Sequence, residues 1–209
     1  MNSIILIGSG GHCKSCIDVI EGNEDFKIKG IIKKKDHHLK EKFMGYEIIG
    51  DDTELSDCFL EKDYGFVCVG QIKTPDVRIR LFNLLRKHNI NIPTIKSNYS
   101  IISKHAKINI GTIIMNNTVI NSDAIIGANC IINTNSIIEH DVNIKDHCHI
   151  STGAIINGGV EIGTGSFIGS GTIIKEGIKV GDNALVSAGE VILQDIPANT
   201  KYKTKNITK

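Results

Sequence analysis

With 209 residues, 41% of them hydrophobic, and a net charge of +1, the chain has room for one large or two small domains with a real core. Balanced charge argues against polyanion binding, and 5% aromatics with no Trp argue against a nucleic-acid binder that stacks bases. No apolar run reaches membrane-spanning length, Met1-Asn2-Ser3 leads into the first strand with no signal peptide, and six scattered Cys fit a reduced, cytoplasmic protein.

Residues 1–95 follow the grammar of an α/β domain. Ile4-Ile5-Leu6-Ile7 is a short buried-strand run, followed by the turn Gly8-Ser9-Gly10-Gly11 and a helical stretch from His12 to Glu21. Ile28 to Ile32 fits a second strand and Tyr46 to Ile49 a third, with a short helix near Leu55 to Leu60. Phe66 to Val69 reads as another buried strand, ending at Gly70. Pro75 suits the first turn of a helix that runs to His88 with Ile79, Phe82, Leu84 and Leu85 on its apolar side. Strands alternating with helices predict a small, Rossmann-like parallel sheet. The glycine turn sits where such sheets bind anions, although its spacing also suits a plain tight turn. Gly70 places a second open loop on the same sheet edge. Cys13 and Cys16 form one C-x-x-C with no second pair at zinc spacing, which favours buried thiols.

From Tyr99 to Gln194 the chain repeats every six residues without an insertion. The fourth position of each hexad is Ile or Val, from Ile102 to Ile192, and the second is mostly small, as at Ala106, Thr112, Cys130 and Ala154. Neither a helix nor an alternating strand has this period. It fits a parallel β-helix whose coils each have three flat sides, one inward aliphatic per side and small residues at the tight corners. The expected boundary divides an N-terminal domain, 1–95, from a solenoid domain, 96–209.

One stretch of the repeat departs from the rest. Glu139-His140-Asp141 and His147-Cys148-His149 gather three His and two acids within about ten residues. Three readings are open: solvated corners, a metal site, or acid–base chemistry by an imidazole that titrates near neutrality beside a carboxylate. The metal reading lacks a tetrahedral ligand set.

Three segments, IILIGSGGHCKSCIDVI, VGQIKTPDVRIRLFNLLRKHNI and IINTNSIIEHDVNIKDHCHISTGAIINGGVEIG, together resemble the bacterial sugar acetyltransferases of the sialic acid and bacillosamine pathways. The specific part is Ile138-Glu139-His140-Asp141 with His149 nine residues after His140. The hexads alone resemble the wider left-handed β-helix acyltransferases. The resemblance implies a homotrimer, acetyl-CoA in the groove between adjacent prisms, a nucleotide-sugar site on the N-terminal domain, and no metal. By motif it implies His140 as general base and Asp141 as its carboxylate. It places His149, Gly158, Ser170 and Ala188 against acetyl-CoA, Asn133 near the acceptor sugar, and Gly10, Gly11 and His12 at the diphosphate.

The chain departs from the family in two places. Lys33-Lys34-Lys35, with Asp36 as the first acid, stands where an acidic pair is usual. The C-terminus after Pro197-Ala198-Asn199 lacks a Gly-x-Pro-Ala-type turn and offers Lys201, Lys203 and Lys205 to the coenzyme phosphates. The expected activity is acetyl-CoA-dependent N-acetylation of a nucleotide-linked 4-amino-deoxysugar for a surface glycan. The close alternative is O-acetylation of a sialic or other nonulosonic acid. The alternative of another class is a non-catalytic scaffold in a sialic acid synthesis complex.

Overall fold

The computed structural model describes residues 1–34 and 42–204. Lys35, Asp36 and Lys205 lie outside the described residues. The N-terminal elements run β1 (Asn2–Ile7), α1 (Gly11–Glu21), β2 (Phe26–Lys33), β3 (Lys42–Phe43), β4 (Tyr46–Asp51), a 3-10 turn (Leu55–Cys58), β5 (Tyr64–Val67) and α2 (Asp76–Lys87). β1 lies between β2 and β5 and pairs in parallel with both. β4 extends the sheet in parallel beyond β2, and β3 closes that edge as an antiparallel hairpin strand that the sequence reading did not place. The strand order therefore reverses between β1 and β5, and the loops after these two strands face one crevice.

Four consecutive apolar residues make β1 because helices cover both faces of the sheet. Ile4, Ile5, Leu6 and Ile7 are all essentially inaccessible. α1 buries Cys13, Cys16, Ile17, Val19 and Ile20 in a core shared with Phe66 and Cys68 and with Ile95, Ile113 and Ile131 from the coils. The C-x-x-C thiols are thus core residues. α2 buries Arg78, Leu81, Phe82 and Leu85, whereas Ile79 and Leu84 are only half-buried. The apolar face is turned because α2 packs against a corner of the coils as well as the sheet. Arg78, 1% exposed, bridges the two parts. Its guanidinium donates to the carbonyls of Val67 (3.0 Å) and Val69 (2.6 Å) and to Oδ1 (2.8 Å) and the carbonyl (3.2 Å) of Asn129. Among the described residues no helix is long and apolar enough to cross a membrane.

The hexads form a three-sided parallel β-helix in which each side is a two-residue strand and each coil takes eighteen residues. Thus Ile101 pairs with Val119, and this with Ile137, Ile155, Ile173 and Val191 in turn. Backbone bonds close the coils, as from Asn143 N–H to the Val160 carbonyl at 2.8 Å. The fourth-position residues fill the interior as one continuous apolar cluster. The small second-position residues also lie inside: Thr112, Ala124, Cys130, Ala154 and Thr172 are wholly buried, behind the corner rather than at its tip. The tip is the sixth residue of one hexad and the first of the next. From Gly111 to Gly189 every hexad-first residue has a positive φ, and each is Gly, Asn, Asp or His. These are the residue types that tolerate the left-handed conformation, so the corners carry a periodic signal that the sequence reading passed over.

The three sides differ in what they present. The docked side (outward residues Ile113, Ile131, His149, Phe167, Leu185) is covered in its first coils by the N-terminal domain. The charged side presents Lys107, Ile125, Asn143, Glu161 and Lys179. The aliphatic side presents Ile101, Val119, Ile137, Ile155, Ile173 and Val191, of which Ile101 and Val191 are 69% and 54% exposed.

Candidate active site

Two groups of polar residues stand out, at two different corners. The first lies where the N-terminal domain meets the corner between docked and aliphatic sides. A cleft of about 710 Å³ there is lined by Gly10, Gly11, His12, Gly70, Gln71, Asn133, Thr134, His149 and Thr152, among others. Gly10 caps α1 without a side-chain bond, so the first N–H groups of the helix remain directed at the cleft. Gly8, with φ of +119° and no room for a Cβ against Val69, makes the chain's turn out of β1 possible. His149 is 7% exposed. Its Nδ1–H donates to the Gln71 carbonyl at 2.7 Å, which leaves Nε2 as an acceptor, 3.2 Å from the Asn133 amide nitrogen. Burial pushes its pKa down to about 4, so the ring is neutral at pH 7. A second cleft, about 430 Å³, continues past Gly10 and Val69 to Lys33, Lys34, Asp52 and Arg80. There Arg80 pairs with Asp52 at 2.7 Å.

The second group is at the corner between aliphatic and charged sides. His140 ends one hexad and Asp141, with φ of 60°, begins the next, so both side chains leave the tip of the corner. They are 66% and 65% exposed, and His140 Nδ1 lies 2.8 Å from Asp141 Oδ2. The carboxylate draws the Nδ1 proton, which leaves Nε2 with a lone pair facing solvent. That hydrogen bond raises the imidazole pKa, and the charges of Asp141 and Glu139 add to it. Glu139 is held by Asn121 at 2.9 Å. Gly158 lies one coil further on the same corner. A Cβ there would stand 2.7 Å from His140 Cε1, so glycine leaves the room the ring occupies.

The structure thus brings Gly10, Gly11, His12, Asn133 and His149 together, and separately His140, Asp141 and Gly158. Ser170 and Ala188 fall on the first corner, in one column with Thr134 and Thr152, where Ser170 bonds Ser151 at 2.8 Å. Six residues at roughly 3.3 Å each make a side of at most about 20 Å, so the two corners of one chain face apart across the aliphatic side. His147 joins neither group: it is half-buried against Phe82, its Nδ1 bonds Asn129 at 3.0 Å, and burial lowers its pKa. Lys201 forms a strand on the docked side, pairing with Leu185. Gln71, Thr134 and Thr152 were not singled out in the sequence. Gly70 ending a strand was the available signal for Gln71, and the repeat period for the two threonines.

A Cβ at Gly10 meets nothing within 4 Å, and the residue has an ordinary negative φ. Gly10→Val is therefore expected to keep the melting temperature while its side chain occupies the cleft. If the cleft takes the sugar that the family resemblance implies, steady-state kinetics should show a KM for the sugar raised about tenfold or more, the loss of one good polar contact, with KM for acetyl-CoA unchanged. Equal loss on both substrates would make the turn purely structural.

Comparison with known proteins gives a family match in the N-terminal part and structural matches over 94–95% of the chain. Residues 3–85 match the PglD N-terminal domain. No curated protein matches the chain significantly. Among solved structures, a histidine-to-asparagine mutant of perosamine N-acetyltransferase from Caulobacter crescentus, in complex with CoA and GDP-perosamine, is similar at 25% identity. The match covers 95% of this chain and 92% of that one, with a TM-score of 0.88. The acetyltransferase domain of PglB from Neisseria gonorrhoeae matches at 25% identity over 94% of each chain, with a TM-score of 0.86. The same domain in complex with acetyl coenzyme A matches at 25% identity over 94% and 93%, with a TM-score of 0.85.

Proposed function

We propose that this chain, a left-handed β-helix sugar acetyltransferase with a PglD N-terminal domain, moves the acetyl group of acetyl-CoA to the 4-amino group of a nucleotide-linked deoxysugar destined for a surface glycan. The observation that carries this reading is the His140–Asp141 pair: an oriented, exposed imidazole with a free Nε2 and a raised pKa. The relatives add weight, one solved with CoA and GDP-perosamine and one with acetyl-CoA. His140 Nε2 takes a proton from the attacking amine as nitrogen bonds to the thioester carbon. Asp141 holds the imidazolium, and the Gly158 backbone N–H faces the developing oxyanion. The tetrahedral adduct then expels the coenzyme thiolate, which takes the proton held on His140 and leaves as the thiol, returning the imidazole to its neutral form.

The cleft at the first corner holds the sugar, and the Gly8–Gly11 turn with the helix N-terminus holds the diphosphate. Lys33, Lys34, Asp52 and Arg80 take the nucleoside end. His140 of one chain reaches the sugar cleft of another when aliphatic sides pack about a three-fold axis. Six outward aliphatics in one column are what such a homotrimer would bury. The coenzyme then lies in the groove between prisms, along Ser170 and Ala188 of one chain and Gly158 of its neighbour. Six free thiols fit a reducing compartment, as the cytoplasm is.

Thiol release from acetyl-CoA, measured against UDP-, GDP- and dTDP-linked 4-amino sugars and free sialic acid, tests the reading. Turnover on a 4-amino nucleotide sugar is expected. Turnover on sialic acid alone would replace the amine by a hydroxyl acceptor, and silence on every sugar would remove the enzyme reading.

A further inference from the structure

Gln71 follows Gly70 out of β5 and reaches across to the coils. It is 3% exposed. Its Nε2 donates to the Gly165 carbonyl at 3.1 Å, and its own backbone carbonyl accepts the His149 bond already described. A peptide carbonyl only accepts, so the amide is fixed with its nitrogen at Gly165 and its oxygen turned away. That oxygen, Oε1, is buried and without a partner. So is His12 Nε2, and both residues line the sugar cleft. Unpaired buried polar atoms are rare in native proteins because water has been lost and nothing has replaced it. Two orphaned atoms in the wall of one cleft point to groups that a ligand supplies.

We propose that Gln71 determines specificity for the acceptor sugar: its side-chain carbonyl accepts a hydrogen bond from an N–H or O–H group of the sugar, with His12 Nε2 meeting the same polar edge. The inference rests on the acetyltransferase reading. Because Oε1 accepts only, a sugar that is deoxygenated or alkylated at that position leaves it unpaired and is rejected. Fixed polar groups discriminate in this way far more strongly than apolar contacts do. His149 is linked to the same residue through its Nδ1–H, so the loop that reads the sugar also sets the tautomer of the ring beside it.

Two variants separate the acceptor from the anchor. Gln71→Met removes both the orphaned oxygen and the bond to Gly165. Gln71→Glu loses the bond to Gly165 and keeps an acceptor oxygen. Kinetics on the sugar panel above should show KM for the sugar raised about tenfold or more in Gln71→Met, with KM for acetyl-CoA and the melting temperature near wild type. Gln71→Glu should fall between the two. Wild-type turnover that Gln71→Met leaves intact overturns this inference alone. So does equal impairment by both variants with a lowered melting temperature, which assigns Gln71 to anchoring only. If Gln71→Glu does not fold, the KM ratio and melting temperature of Gln71→Met decide. A wild type silent on every sugar overturns the function and this inference together.

Discussion

His140→Ala is expected to lower kcat by about a hundredfold to ten-thousandfold, the contribution of a positioned general base, without loss of fold or assembly. The residue is at a corner tip and 66% exposed, outside the interior column, so its removal opens no cavity. The pH profile gives a second, independent reading. The base must be neutral to accept a proton, and its hydrogen bond to Asp141 raises its pKa above the ordinary 6.5. Turnover at low substrate should therefore rise with pH along a limb centred above 6.5, and that limb should vanish in His140→Ala. Asp141→Asn removes the carboxylate that raises the pKa. It should move the limb down towards 6.5 and cost less than the loss of the imidazole. His147→Ala is the control: that ring is packed against Phe82 and bonded to Asn129, so its loss should lower stability and spare turnover. Near wild-type kcat in His140→Ala would refute the assignment.

The aliphatic side gives the other large effect. Ile155→Glu changes an outward residue and leaves its inward neighbour Ile156 in the core. If this side packs against its copies, each trimer would have to bury three unpaired carboxylates, at several kcal/mol each. Light scattering should then show a folded chain of 22.8 kDa where the wild type has three times that mass. Activity should fall by about a hundredfold or more, because no chain then meets its neighbour's cleft. A trimer that survives the substitution, or an active monomer, would contradict the assembly.

Much of this architecture was legible in the sequence because the solenoid is a one-dimensional repeat, in which each residue's surroundings recur every eighteen positions. One period placed the whole Ile column from Ile102 to Ile192 and put His140 at a corner. The N-terminal strands were legible as apolar runs, with β5 displaced by two residues because Cys68 and Val69 continue its hydrophobicity past the last paired residue. What was hidden depends on contacts between the two domains. Nothing in the local sequence marks Arg78 for burial, yet it is buried because Asn129 and the carbonyls of Val67 and Val69 surround it. His149 and His12 are 137 residues apart and meet only when the glycine turn docks on the coils, with ring centres 6.5 Å apart. No local pattern encodes that meeting. Nor did periodicity separate His140 from His147, one hexad-final and one hexad-first. The difference lies in what α2 covers.

If His140 is the base and the first-corner cleft holds the sugar, the two face apart on one chain, and each should be replaceable by a neighbour's. Co-expressing His140→Ala chains, nearly inactive alone, with Gly10→Val chains, which alone keep about a tenth or less of wild-type activity at limiting sugar, tests this directly. In randomly mixed trimers a working site needs its base from a Gly10→Val chain and its cleft from a His140→Ala chain, a chance of about one in four. Recovery of about a quarter of wild-type turnover is the expected result. No recovery in trimers shown by mass to be mixed would place base and cleft in the same chain and contradict the shared site.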